Sequence, residues 1–236
     1  MPFINQLRAT LLALACISAP QLIAQTTQPT TSANNPALAF KANPEWKIAK
    51  AVSAVGNKLQ FTIANDGSIL VLGSNGSAGH LITTEYLGDS VLDTEFLVPE
   101  GSDAKLFLQG RYAVDLKNIN NEWQHLRATF RAPRFNEASA KVDAALIIEV
   151  RINGEPILVN DIRPTMSENT SVAWESAGGA TSFLVKKGQL ALRNFNIAPA
   201  DFSQIVMPKN SGDATNEKEL VDFVALGKET FESVGC

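Results

Sequence analysis

The chain has 236 residues, with 20 Lys and Arg against 24 Asp and Glu, for a formal net charge of −4. Hydrophobic residues make up 45% and charged residues 19%, an ordinary globular composition that excludes a disordered chain. The acidic balance, without any long basic run, argues against a nucleic-acid surface.

The opening stretch, "MPFINQLRATLLALACISAPQLIAQ", carries one cation, Arg8, ahead of a short apolar run that Pro20 interrupts and small residues around Ala24 close. This layout predicts a secretory signal peptide over residues 1–24, cleaved after Ala24. The run is too short and broken to span a bilayer, which needs about 20 apolar residues, so no transmembrane segment is expected. A buried N-terminal helix is the bland alternative, and Cys16 after "LALA" leaves a lipoprotein anchor open. The expected location is periplasmic or extracellular. Of the two cysteines, Cys16 leaves with the signal and Cys236 stays alone, so the mature chain has no internal disulfide and relies on its core. Residues 25–44 are rich in Thr, Asn and Pro without a hydrophobic period, and read as a flexible leader.

From 45 to 200 the pattern is one of short alternating runs: "LQFTIA", "SILVLG", "HLITTEY", "SVLDTEFLV", "KLFLQGRYAVDL", "WQHLRATFR", "ALIIEVRI", "TSFLVKKG" and "QLALRNFNI". The "NDG" at 65–67 and the "NG" at 153–154 predict tight hairpins, because Asn and Gly tolerate positive φ. About nine to twelve strands and no helix predict an all-β, antiparallel two-sheet sandwich. Alternation then assigns faces. In "LFLQGRYAVDL", Leu106, Leu108, Tyr112, Val114 and Leu116 face the core, while Gln109, Arg111, Ala113 and Asp115 face water. In "WQHLRATFR", Leu126, Ala128 and Phe130 point in and His125, Arg127, Thr129 and Arg131 point out; in "ALIIEVRI", Leu146, Ile148, Val150 and Ile152 point in against Glu149 and Arg151. Such a polar face is either a plain solvated surface or a binding surface. His80 and His125 are the only histidines and have no metal-ligand spacing, so no metal site is expected.

Residues 201–218 read as a polar linker. The segment 219–236 then changes to helical period, with Leu220, Phe223, Val224, Gly227, Phe231 and Val234 on one face. "LVDFVALGKETFESVGC" resembles the first helix of a c-type cytochrome domain, on Gly227, Phe231, Gly235 and Cys236. That resemblance implies haem c attached at Cys236 in a longer protein, with a redox partner, the sequence ending inside the C-x-x-C-H motif. An amphipathic helix packed on the sandwich is the alternative.

The middle of the chain also carries a resemblance. "GHLITTEYLGDSVLDTEFLVPEG", "LFLQGRYAVDL", "EWQHLRATFR", "RINGEPI" and "LALRNFNI" together resemble the 3-keto-disaccharide hydrolase family, also called 3-keto-glucoside lyase/hydratase domains. The family implies a concanavalin A-like jelly roll acting on a carbohydrate or 3-keto-glycoside, without a cofactor in the sandwich. A ketone at C3 acidifies the C2 proton, so the chemistry needs a base at that proton and cationic or hydrogen-bonding groups at the enolate oxygen. Glu85, Glu95, Arg111, Trp123, Arg193 and Asn194 match the family's pattern, whereas Gln109 stands for its Arg, Ala113 for its Glu and Asp115 for its Gln. The catalytic candidates are therefore Glu95, Arg111 (as anion stabiliser) and His125. The sugar is expected over Gln109, Arg111, Asp115, His125 and Arg127. Asp93 shares a strand face with Glu95 as a possible acid pair, and Tyr86 and Trp123 are candidate stacking rings. The replacements at Gln109 and Ala113 predict weak or absent turnover. A non-catalytic carbohydrate-binding module and a spacer for an electron-transfer domain are the rival readings.

Overall fold

A computed structural model describes residues 39–41, 46–73, 78–117, 119–170, 172–205 and 207. The signal peptide at 1–24 with Cys16, nearly all of the leader, most of the linker, and the 219–236 helix with the haem position Cys236 lie outside the described residues. Among the described residues the alternating runs form fourteen strands and no α-helix. They are β1 (Trp46–Val55), β2 (Lys58–Ile63), β3 (Ile69–Leu72), β4 (Gly79–Ile82), β5 (Ser90–Leu97), β6 (Asp103–Leu108) and β7 (Tyr112–Leu116). The second half supplies β8 (Gln124–Arg131), β9 (Arg134–Phe135), β10 (Lys141–Asp143), β11 (Ala145–Ile152), β12 (Glu155–Arg163), β13 (Ser182–Lys187) and β14 (Leu190–Pro199).

An eight-stranded sheet runs β12-β11-β8-β5-β14-β3-β1-β2, and a four-stranded sheet runs β4-β13-β6-β7. All pairings in both sheets are antiparallel. The chain crosses between them at β3–β4, β4–β5, β5–β6, β7–β8, β12–β13 and β13–β14. Such exchange of strands between two packed antiparallel sheets makes a jelly roll. The core between the sheets takes Leu70, Leu72, Leu92, Phe96, Leu126, Phe130 and Leu192 from the large sheet. It takes Leu81, Leu106, Leu108, Tyr112, Val114, Leu116, Phe183 and Val185 from the small one. Each such side chain contributes about 1.5–3 kcal/mol by leaving water.

A smaller apolar cluster of Ala49, Leu59, Ile69, Val71, Leu97 and Ala191 joins Val52, Phe61 and Trp123. It lies on the opposite face of the large sheet. Leu97 shares a face with Glu95 two residues earlier, and Ala191 pairs with both Leu97 and Val71. One end of that outer face is therefore apolar and the rest is polar.

Four sequence expectations change. First, "NDG" forms a turn but no hairpin, because β1 lies between β2 and β3. Gly67 is needed there because a Cβ would come 2.2 Å from the Ala49 carbonyl oxygen of β1. The tight hairpin is instead at Gly56, between Val55 and Lys58. The "NG" hairpin is as expected, with Ile152 opposite Glu155 and positive φ at Asn153 and Gly154.

Second, "LFLQGRYAVDL" is two strands. Gln109 and Gly110 have positive φ, and Leu108 pairs directly with Tyr112. Because Leu108 and Tyr112 are an even number of positions apart, the core alternation continues through the turn. A hairpin therefore looks like one strand in sequence. Third, a bulge between Ile147 and Glu149 shifts β11 by one residue. Ile147, Val150 and Ile152 then fill the core, and Ile148 is only partly buried. Fourth, Arg131 is buried, since Asp143 of β10 accepts from it at 2.7 Å and closes over it.

Candidate functional site

The predicted residues divide among three places. Gln109 and Arg111 sit in the β6–β7 turn, 2% and 3% exposed, and do not face water. The reason is local: positive φ at Gln109 and Gly110 turns the chain, and both side chains fold inward onto neighbouring loops. Asp115 is exposed on the outer face of the small sheet, paired with Lys105. Glu95, His125 and Arg127 meet on the outer face of the large sheet.

The turn occupies four of the five N–H donors of Arg111. Nε donates to the Trp174 carbonyl at 2.7 Å, and Nη1 to the Gln109 and Gly178 carbonyls, both at 3.1 Å. Nη2 donates to Ser176 Oγ at 2.9 Å. Burial pushes its pKa below the ordinary arginine range, although the guanidinium stays charged. Arg111 is therefore buried and holds the neighbouring loops together, away from the water-facing position expected of it.

On the large sheet, strand register aligns the polar side chains in two rows. Arg193 of β14 lies directly opposite Glu95 of β5, which lies opposite His125 of β8. In the next row Asn196, Asp93, Arg127 and Arg151 succeed one another across β14, β5, β8 and β11. Directly opposed residues share a face, so parity alone brings these groups together. The Arg127–Arg151 juxtaposition is a like-charge pair, offset by Asp93 at 3.5 Å from Arg127 and Glu149 at 2.6 Å from Arg151.

Each row has a definite electrostatic state. Arg193 Nε donates to Glu95 Oε2 and Asn194 Nδ2 to Oε1, both at 2.7 Å. Burial pushes Glu95 up, but these hydrogen bonds and the charges of Arg193 and His125 hold it below the usual carboxylate range. The Arg193 guanidinium stacks 4.1 Å from the Trp123 ring centroid. His125 Nε2 is 2.9 Å from Asp93 Oδ1, and its side chain is half exposed. The β11–β12 turn fixes the His125 backbone, with its N–H donating to Asn153 Oδ1 at 2.9 Å and its carbonyl accepting from Asn153 N at 2.8 Å.

With Nε2–H donated to Asp93 Oδ1, the neutral form of the His125 ring holds its lone pair on Nδ1, the arrangement of an oriented general base. Asp93 and Glu95 are not an acid pair, since each is bound to a different cation. Sequence reasoning had His125, Arg127 and Glu95 on a wet face and missed the Asp93–His125 bond, which depends on the register between β5 and β8. It also missed Trp174, which no alternating run contains.

No family model matches this chain, and no curated protein does. Among solved structures, it is similar to a candidate glycosyl hydrolase from Parabacteroides distasonis, with a TM-score of 0.45 at 15% identity, covering 59% of this chain and 74% of that one. A second from the same organism gives 0.42 at 12%, covering 69% and 94%. The carbohydrate-binding module CBM66 from Bacillus subtilis gives 0.32 at 8%, covering 65% and 94%. Identities and scores this low carry no argument about activity.

Proposed function

We propose that this chain is an exported carbohydrate-active domain of the 3-keto-disaccharide hydrolase (3-keto-glucoside lyase/hydratase) type, binding its sugar on the outer face of the large sheet. The observation that carries this reading is the Asp93–His125 hydrogen bond at 2.9 Å on an exposed face, beside Arg127 and the Trp123-backed Arg193. His125 Nδ1 takes the C2 proton of a 3-keto sugar, and the C–H electron pair moves onto the ketone oxygen as an enolate. Return of that pair forms the C1–C2 double bond and expels the C1 substituent with its C1–O pair, the imidazolium or water protonating the departing oxygen. Turnover is slow, because Arg127 and Arg193 are already bound to Asp93 and Glu95. A free oxyanion donor is worth about 10²–10³-fold.

The test is to incubate the full chain with a 3-keto-glucoside and follow aglycone release. His125→Ala is expected to lower kcat by about 10²–10⁴-fold, and Asp93→Asn to lower it in the same direction. Release that survives both substitutions refutes the site. The second reading is a carbohydrate-binding module without catalysis. It is favoured by Glu95, whose carboxylate is fully engaged by Arg193 and Asn194. Sugar binding with no release in any variant selects it.

Export and haem attachment belong to the same proposal. Edman sequencing of secreted protein is expected to begin near Gln25, and Cys236 is the thioether position that would hold haem c in a longer protein.

A further inference from the structure

Two large rings stand out of the surface on loops that the small sheet holds together. Tyr86 is 67% and Trp174 70% exposed, the two most exposed large hydrophobic side chains among the described residues. Their loops are paired through Leu87 and Gly179, whose backbones exchange hydrogen bonds of 3.1 and 2.9 Å. Gln109 Nε2 sits within hydrogen-bond reach of Leu87, Gly88 and Ala177, at 3.0–3.3 Å, tying both loops to the β6–β7 turn. Arg111 holds the Trp174 and Gly178 carbonyls, and Tyr86 is an electrostatic neighbour of the same guanidinium. The Tyr86 loop is fastened from its other side by Thr84 N–H to the Ala39 carbonyl at 3.0 Å. These rings are therefore held by ordered backbone, and a ligand that stacks on them need not order a floppy loop.

We infer that Tyr86 and Trp174 form a second saccharide site, which stacks the apolar C–H face of a glucopyranose chain. A ring with equatorial hydroxyls presents a flat apolar face and a polar rim, the complement of an exposed aromatic with polar neighbours. Those neighbours are present: the Tyr86 hydroxyl, Lys41 with Nζ 5.7 Å from the Tyr86 ring centroid, and Ser176 beside Arg111. Two aromatic side chains, which bury about 150–250 Å² each, suit a small ligand better than a protein partner. A stable protein interface needs about 800 Å² per partner. The site lies at the turn of the small sheet and does not depend on the charged face of the large one.

Affinity electrophoresis of the full chain through gels containing hydroxyethylcellulose or soluble starch tests it. The wild type is expected to be retarded in at least one gel. Trp174→Ala and Tyr86→Ala should each weaken that retardation at least tenfold, with Trp174→Phe keeping most of it. Both rings are exposed, and circular dichroism of each variant verifies its fold. Absence of retardation in both gels overturns the inference, as does retardation that Trp174→Ala and Tyr86→Ala leave intact. Retardation that only His125→Ala or Arg127→Ala removes would place the sugar on the large sheet and overturn it as well. Sedimentation showing self-association that Trp174→Ala abolishes would give the rings to a second copy, again against the inference.

Discussion

Glu95 is the most constrained carboxylate on the charged face, and its charge contributes to the fold. Its pKa is lower in the folded protein than in the unfolded chain, so its contribution is complete above the ordinary glutamate range. That contribution disappears as pH falls below the ordinary glutamate range and through the lowered folded-state pKa. Glu95→Gln is expected to cost about 1 kcal/mol in urea unfolding at pH 7, discounted for partial exposure. The gap between variant and wild type should close as pH falls through the folded-state pKa. A gap of constant size across that range would show that Arg193 and Asn194 do not depend on the Glu95 charge. At this scale the sequence was legible where parity was unbroken: His125 and Arg127 alternate with Leu126 and Ala128, and the structure places them so. It was not legible for Arg131, where alternation gave the correct side of the strand and Asp143, contributed by a separate hairpin, buried the side chain.

The β6–β7 turn shows how one element can be misread for a physical reason. Its odd loop length preserves the alternation of buried side chains, so nothing in the hydrophobic period marks the reversal between Leu108 and Tyr112. The "QG" pair was the available signal, since Gln109 and Gly110 both adopt left-handed φ. Having turned, the element holds the loops beside it. Tyr112 donates its hydroxyl to Glu175 at 2.7 Å, and burial with that carboxylate pushes the phenol well above its ordinary range, so it remains a donor. Arg111→Ala would leave the Trp174 and Gln109 carbonyls without this donor and remove one of the two donors to the Gly178 carbonyl, at a cost of about 1–3 kcal/mol. Hydrogen exchange should then accelerate around residues 173–179 more than in β5 or β8. Arg111→Lys should not restore protection, because a point charge cannot reproduce the fork. Unchanged exchange in Arg111→Ala would show that Arg111 does not hold these loops. Gly179→Ala should resemble it, since the new Cβ would fall 2.4 Å from Arg111 Nη1.

For the molecule as a whole, the sandwich class was legible from the density of short alternating runs, but the strand order was not. Neither β1 inserted between β2 and β3 nor β14 between β3 and β5 leaves a local trace. Long-range ties of this kind depend on single buried groups such as Asp89. Its Oδ1 accepts from Ala132 N and Arg134 Nη1 at 2.8 Å, and its Oδ2 from Arg134 Nη2 at 2.6 Å and Phe202 N at 2.8 Å. One carboxylate thus fastens the segment after β14 to the end of β8. Asp89→Asn is expected to cost about 3–5 kcal/mol and lower Tm by about 10 °C in calorimetry. Asp66→Asn, at an exposed pair with Lys50, should leave Tm unchanged. Equal effects of the two substitutions would deny Asp89 this role.

The position of β14 has a consequence for the order of synthesis. It is the last of the described strands to leave the ribosome, yet it fills the middle of the large sheet, between β3 and β5. Until residues 190–199 emerge, β2-β1-β3 and β12-β11-β8-β5 are two separate half-sheets, and the nascent chain carries an open edge on each side of the gap. Open edges recruit strands from other chains, so a stalled or clipped product ending before Leu190 is the form of this protein most prone to aggregate. The same strand that closes the sheet supplies Arg193 and Asn194, so the charged face is completed only when the gap is filled.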